Sequence, residues 1–328
     1  MSNQQPTTKN IKMFSSEILV NAIPPEIWRE EIFTNFGYVD RSNGNATCNE
    51  FNDTFENYNQ KFLKKHAIHV PQDTPTIEKA MELVAKLQLV PTEKDPLRIV
   101  LDKGIHEIVG NRVNVTCSHI TFVGKGKDQT TIRGGFWVYN QQNVKFEELA
   151  VMNPSSGPGL HLHGSETTVD VLKCAVKECG SVGMNVGGGA TVTATQCEFM
   201  ENGHIGYGVG CGVSVLQYTF GGAANTKVRL NDCKMHHNDG HGLNVWGRAV
   251  VDLHGTKTAI HSNKDYGIWA TRNAKVNIHL PSQHNTSHDN VSEDRCQEGI
   301  PSSGFPPGSI ANINADGTFT HVIVDEVL

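Results

Sequence analysis

The sequence predicts an all-β solenoid, and three observations carry the prediction. A glycine followed by an apolar, a variable and an aliphatic residue recurs at Gly135 (GFWV), Gly159 (GLHL), Gly183 (GMNV), Gly206 (GYGV), Gly242 (GLNV) and Gly267 (GIWA). The steps between them are 24, 24, 23, 36 and 25 residues. A second alternating segment follows each glycine, at Val144/Phe146, Val169/Val171, Val192/Ala194, Val228/Leu230, Val251/Leu253 and Val276/Ile278. Turn residues rich in Gly, Asn and Asp separate these segments, and the chain carries 32 glycines. Units this short cannot bury an apolar face alone, so neighbouring coils must stack.

Each part of the repeat has a physical role. The glycine opens a sharp corner where a Cβ is unwelcome. Along each strand, alternate side chains point into the stack and out of it. A third marker, three residues past the second segment, reads Leu149, Cys174, Cys197, Cys233 and Thr256. These cysteines share one inward phase and read as small buried hydrophobes. A disulfide between neighbours is the alternative, and a zinc site is disfavoured because the spacing is a coil period rather than C-x-x-C.

Ahead of the repeat, Ile77, Ala80, Met81, Val84 and Leu87 form one apolar stripe of a helix able to cover the open end of the stack. The run "VPQDTPTIEKAMELVAKLQ" with "RIVLDKGIHEI" and "ITFVGKGKDQTTIRGG" resembles the N-terminal cap and first coils of the pectate-lyase-like family. That resemblance implies a right-handed parallel β-helix of about seven or eight coils over residues 67–280. One fold of this kind hosts many activities.

Residues 1–18 read as a polar tail, and residues 19–66 as a helical segment opened by Pro24 and Pro25. Ile23, Pro24, Ile27, Ile32, Phe33 and Phe36 resemble the F-box, which docks proteins on the adaptor of a cullin-type ubiquitin ligase. One extra residue between Ile27 and Ile32 and the polar insert 41–45 depart from that pattern. A helical cap that needs no partner accounts for the segment equally well. Residues 281–328 form a Pro-rich stretch and then two short strands around an Asp-Gly turn.

Composition limits the partners. A net charge of -6 and a pI near 6.2 supply no basic field for nucleic acid. No apolar run reaches membrane-spanning length, and the first residues lack the order of a signal peptide, so a cytoplasmic or nuclear protein is expected.

The outward row of the opening strands is the most informative surface. Two residues past each glycine stand Trp137, His161, Asn185, Gly208, Asn244 and Trp269; four past stand Tyr139, His163, Gly187, Gly210, Trp246 and Thr271. Aromatic faces joined by hydrogen-bonding side chains suit a glycan or a protein ligand. Tail or loop residues covering the row would remove that surface. Residues Gly210–Thr226, the excess of the long step, read as a flap beside the row or as a rigid satellite.

For catalysis, Glu178, Glu201 and His237 each sit five residues before the glycine that opens their coil, and would stack on successive rungs. Charged corners of this kind also serve solubility. Asp170 and Asp252 share a phase but lie three rungs apart, about 14 Å, which is too far for glycoside hydrolysis. His236, His237 and His241 are close in sequence, but a strand or turn points the first two apart, so no metal or other cofactor is expected. The favoured reading is recognition without chemistry, with a ligase adaptor and substrate protein, or a glycan, as partners. A polysaccharide lyase, hydrolase or epimerase is the competing class.

Overall fold

The computed structural model describes residues 67–86, 89–204, 210–217, 225–281, 284–297, 306–313 and 319–321. The F-box-like positions Ile23, Pro24, Ile27, Ile32, Phe33 and Phe36 lie outside them.

The repeat folds as about seven turns of three strands each, and every equivalent strand pairs in parallel with its counterpart on the next turn. Three stacks result. The opening stack holds the glycine-led strands, with Leu160–His163, Met184–Gly187, Val213–Gln217, Leu243–Gly247 and Ile268–Thr271 paired in that order. The middle stack holds the valine-led strands, such as Thr168–Leu172, Thr191–Thr195 and Lys227–Asn231. The closing stack holds shorter strands, Ala150–Met152 through Ala259–His261. Near the N-terminal end the long strand Thr130–Tyr139 joins two stacks, pairing with Ala150–Met152 and with Leu160–His163.

Alternation along each strand decides what is inside. In Lys227–Asn231, Val228 and Leu230 are buried while Lys227 and Arg229 are exposed. Phe122, Phe136 and Phe146 fill the first turns, with ring centroids 4.8–5.4 Å apart. The helix Ile77–Lys86 lays Ile77, Ala80, Met81, Leu83 and Val84 over this end. Thr76 caps it through Oγ1, which accepts the Lys79 amide at 3.3 Å.

The thiol ladder is as the spacing predicts. Cys174, Cys197 and Cys233 are buried free thiols, each turned toward backbone carbonyls of its own and the preceding turn. Thr258, not Thr256, continues the column, because the corner before it carries two extra residues.

The fourth opening strand differs from its expected position. Val213 pairs with Met184 and Leu243, so Gly212 rather than Gly206 opens this turn. The 36-residue step is therefore two smaller expansions on either side of Val213–Gln217. Val213 and Val215 are core residues, not parts of a flap. Residues 218–224 of that expected flap lie outside the described residues.

Past residue 280 the stacking continues, with Ser287–His288 paired to the closing stack and Arg295–Cys296 to the opening stack. Ser309–Ile313 adds a last parallel rung to the middle stack and pairs antiparallel with Phe319–His321. The strands flanking the expected Asp-Gly turn thus extend the end of the middle stack, while Pro307 bridges to the buried Thr271 at the end of the opening stack.

Candidate functional site

Pairing along the opening stack puts the expected residues into one outward row. Trp137 stands opposite His161, His161 opposite Asn185, Asn185 opposite Ser214, Ser214 opposite Asn244, and Asn244 opposite Trp269. A parallel column carries Tyr139, His163, Gly187, Leu216, Trp246 and Thr271. Ser214 and Leu216 replace the expected Gly208 and Gly210, because the shifted opening glycine moves that rung. Gly187 leaves room at the centre, where the His163 ring reaches across to within 3.0 Å of its Cβ position.

The indoles occupy the two ends of the row rather than one cluster. Five rungs, about 24 Å, separate Trp137 from Trp269. At the first end Trp137 is half-buried between the Arg112 guanidinium, 4.3 Å from its ring, and the His161 ring at 4.3 Å. Tyr139 beside it is 56% exposed and stacks on His163 at 6.1 Å. At the other end Trp246 lies under Arg272 at 4.0 Å, and Trp269 packs against His241 at 4.8 Å and Tyr266 at 6.4 Å.

Between the ends the row is polar and lies deeper. Asn185 Nδ2 meets His161 Nδ1 at 3.3 Å, and Asn244 Nδ2 donates to Ser214 Oγ at 3.2 Å. Ser214 and Asn244 are buried, and Asn244 Oδ1 has no hydrogen-bond partner among the described residues. Burial lowers the pKa of His161, helped by His163 and Arg112, and burial lowers that of His241 against the opposing pull of Asp265. Both rings are therefore neutral near pH 7, so the row offers amides, a hydroxyl, imidazoles and indoles. None of its twelve positions is an Asp or Glu.

Glu178, Glu201 and His237 occupy the corner after the closing stack on three consecutive turns. Each has φ between 50° and 56°, as do Ser262 and Asp289 below them. One residue in the left-handed region turns the chain between strands there. Glu178 makes an ion pair with Lys177 at 3.9 Å, and Glu201 is exposed. This corner leads from the closing strands into the opening strands. His236 and His237 do meet, with Nδ1 atoms 2.7 Å apart, which corrects the expectation that they point away from each other. His236 also stacks on His261, and His261 on His288, at 5.1 Å each, while His241 stands apart beside Trp269.

Two features lie beyond what glycine spacing reveals. Asn202, Asn238 and Asn263 form a buried amide ladder, continued by half-buried Asn290, inside the corner between the closing and opening stacks. Its signal was present, since Asn202, Asn238 and Asn263 each fall five residues after Cys197, Cys233 and Thr258. The other is a group formed by Asp252, His254 and His279 on the middle stack. His254 and His279 are 25 residues apart, one coil period, which places them on neighbouring turns.

The model of the right-handed β-helix region matches residues 104–291. The chain belongs to the right-handed β-helix family. Among solved structures, pectin methylesterase PemA from Erwinia chrysanthemi is similar at 10% identity over 78% of this chain and 91% of that one, with a TM-score of 0.46. ORF18 of Geobacillus virus E2 is similar at 11% identity over 77% of this chain and 62% of that one, with a TM-score of 0.39. No curated protein matches the sequence. Among the described residues, no helix of this β-helix protein is long and apolar enough to cross a membrane.

Proposed function

We propose that this β-helix protein is a recognition protein whose opening stack binds an extended neutral glycan without altering it. The observation that supports the reading is the row from Trp137 to Trp269, which combines amide and imidazole hydrogen-bonding groups with aromatic side chains at both ends, lies deeper at Ser214 and Asn244, and contains no carboxylate. Ring faces of a sugar stack on indole and tyrosine, and its hydroxyls exchange hydrogen bonds with amides. A chain lying along the stack crosses rungs about every 4.8 Å, so it would meet a repeating set of donors and acceptors. Glycoside hydrolysis needs two carboxyl groups set about 5 to 9.5 Å apart, and the row holds neither.

Docking to a ligase adaptor through Ile23–Phe36 would be a separate property of the N-terminal segment, and the glycan reading does not depend on it. The deciding experiment is calorimetric titration of the full chain with neutral and uronate oligosaccharides, with product analysis of the same samples. Binding of a neutral oligosaccharide that Trp269→Ala and Asn185→Ala each weaken supports the reading. Binding unaffected by both substitutions, absence of any glycan binding, or cleavage of the ligand overturns it.

A further inference from the structure

We infer that Asp252, His254 and His279 form a binding site for a divalent transition-metal ion, of the zinc, cobalt, nickel or copper class. The three side chains come from two neighbouring turns of the middle stack and project outward. Asp252 and His254 are two apart on the strand Val250–His254, so the pleat places them on one face. Asp252 stands opposite Asn277 and Leu253 opposite Ile278, which carries His279 to the position beside His254. The two imidazoles lie parallel within 9°, with centroids 4.1 Å apart, and one ligand atom from each of the three residues lies within 4.8 Å of the others.

The donor set selects the class of ion. Two imidazole nitrogens and one carboxylate oxygen suit zinc and its neighbours, whereas calcium and magnesium call for oxygen ligands. Zinc binds such atoms at about 2.0–2.2 Å, which places tetrahedral ligands roughly 3.3 Å apart. Asp252 Oδ1 and His279 Nε2 lie 2.9 Å apart in a hydrogen bond that the ion would replace, its proton passing to solvent. His279 and Asp252 are 30% and 35% exposed, which leaves both side chains room to turn toward an ion. Solvent access leaves the fourth position to water.

The surroundings favour an oriented carboxylate. Asn277 Nδ2 donates to Asp252 Oδ1 at 2.9 Å, a supporting contact of the kind that fixes a metal-ligating carboxylate. Arg229, opposite Asp252 on the preceding turn, is directed through Nε to Asn231 Oδ1 at 2.9 Å and makes no ion pair with the carboxylate. Its charge opposes a cation nearby, so binding is expected to be moderate rather than tight. The site lies on the middle stack, apart from the glycan row, so failure of one reading leaves the other standing.

The test uses the full chain, calorimetric titration with zinc, and absorption spectra with cobalt, whose visible bands report a low-coordinate nitrogen and oxygen site. One ion per chain with a cobalt spectrum is expected, together with zinc affinity at least about tenfold weaker in His254→Ala, His279→Ala and Asp252→Asn. His261→Ala, in the other imidazole stack, serves as the control and keeps both signals. Circular dichroism checks that each variant is folded, and all substituted side chains are partly solvent-exposed. No binding at submillimolar zinc, affinity unchanged in the first three variants, or loss of the signals in His261→Ala instead overturns the assignment.

Discussion

Asn238 donates an amide hydrogen to Asn263 Oδ1 at 2.9 Å and accepts one from Asn202 Nδ2 at 2.9 Å, one bond toward each neighbouring turn. Its Nδ2 also reaches Phe199 O, and its Oδ1 accepts the Asn202 backbone N–H. The ladder occupies the space a glycine leaves. A Cβ on Gly212 would lie 2.8 Å from Asn238 Nδ2, and one on Gly242 would lie 2.7 Å from Asn263 Nδ2. Neither glycine has a positive φ, so the opening glycine answers to this close approach and not to backbone torsion.

Replacing Asn238 with alanine orphans the Asn202 amide and the Phe199 carbonyl in a buried corner. A loss of about 2–4 kcal/mol is expected from urea unfolding. Gly242→Ala, by overpacking against Ile260 and Asn263, costs about 1–3 kcal/mol. Asn225→Ala at an exposed position changes stability by less than about 0.5 kcal/mol. Equal effects from Asn238 and Asn225 would show that the ladder carries little.

The thiols are buried by the same stacking. Burial pushes Cys179 and Cys211 up to about 12, so neither is a thiolate at pH 8. Iodoacetamide at that pH is expected to leave Cys174, Cys179, Cys211 and Cys233 unlabelled until denaturant is added, while half-buried Cys117, itself pushed up to about 11 by burial, reacts before these four. Peptide mass spectrometry with time reads the order. Early labelling of Cys174 in the folded protein would contradict the ladder.

Glu198 sits between Lys127, at 2.6 Å, and His236, at 2.9 Å. Burial alone would raise its pKa, but hydrogen bonds and charge from those two partners bring it down to about 2. A carboxylate lowered in the folded state stabilises above its unfolded value near 4.5, and that contribution is lost as pH falls toward 2. Glu198→Gln is therefore expected to flatten the stability profile between about pH 5 and 2, measured by thermal unfolding. An unchanged slope would show that the contact is too exposed to matter.

His261 is sandwiched between His236 and His288. Burial first, then the charges of His236, His288, His237 and Lys234, hold its pKa below 6.5. The unfolded chain consequently takes up a proton at His261 before the folded chain does. Stability from this group is full above pH 6.5 and declines as pH falls below it. The C2 proton of His261 should titrate by NMR below the midpoint of a free histidine, and His261→Gln should lessen the loss of stability between about pH 6.5 and 5. A His261 midpoint at or above 6.5 would contradict the stack.

Much of the fold was legible in the amino-acid order because a solenoid repeats its environment at a nearly constant period. Val228 and Leu230 follow from alternation alone, and Cys174, Cys197 and Cys233 from one shared phase. The outward row was readable for the same reason wherever the period held, from Trp137 to Asn185 and from Asn244 to Trp269. Register failed at the fourth turn, where two expansions around Val213–Gln217 look like a single long insertion. Gly206 and Gly212 satisfy the local pattern equally, and only pairing with Met184 and Leu243 on the adjacent turns distinguishes them.

Local order by itself thus determined which residues point inward and that the turns must stack. Tertiary structure decided what each turn places against the next: the amide of Asn238 beneath Gly212, the imidazole of His279 beside His254, and the 24 Å of polar row, about five rungs, between Trp137 and Trp269. Contacts between turns depend on corner length as well as on residue type. A one-residue change in a corner moves an asparagine or a histidine past its neighbour while leaving the alternation within each strand intact.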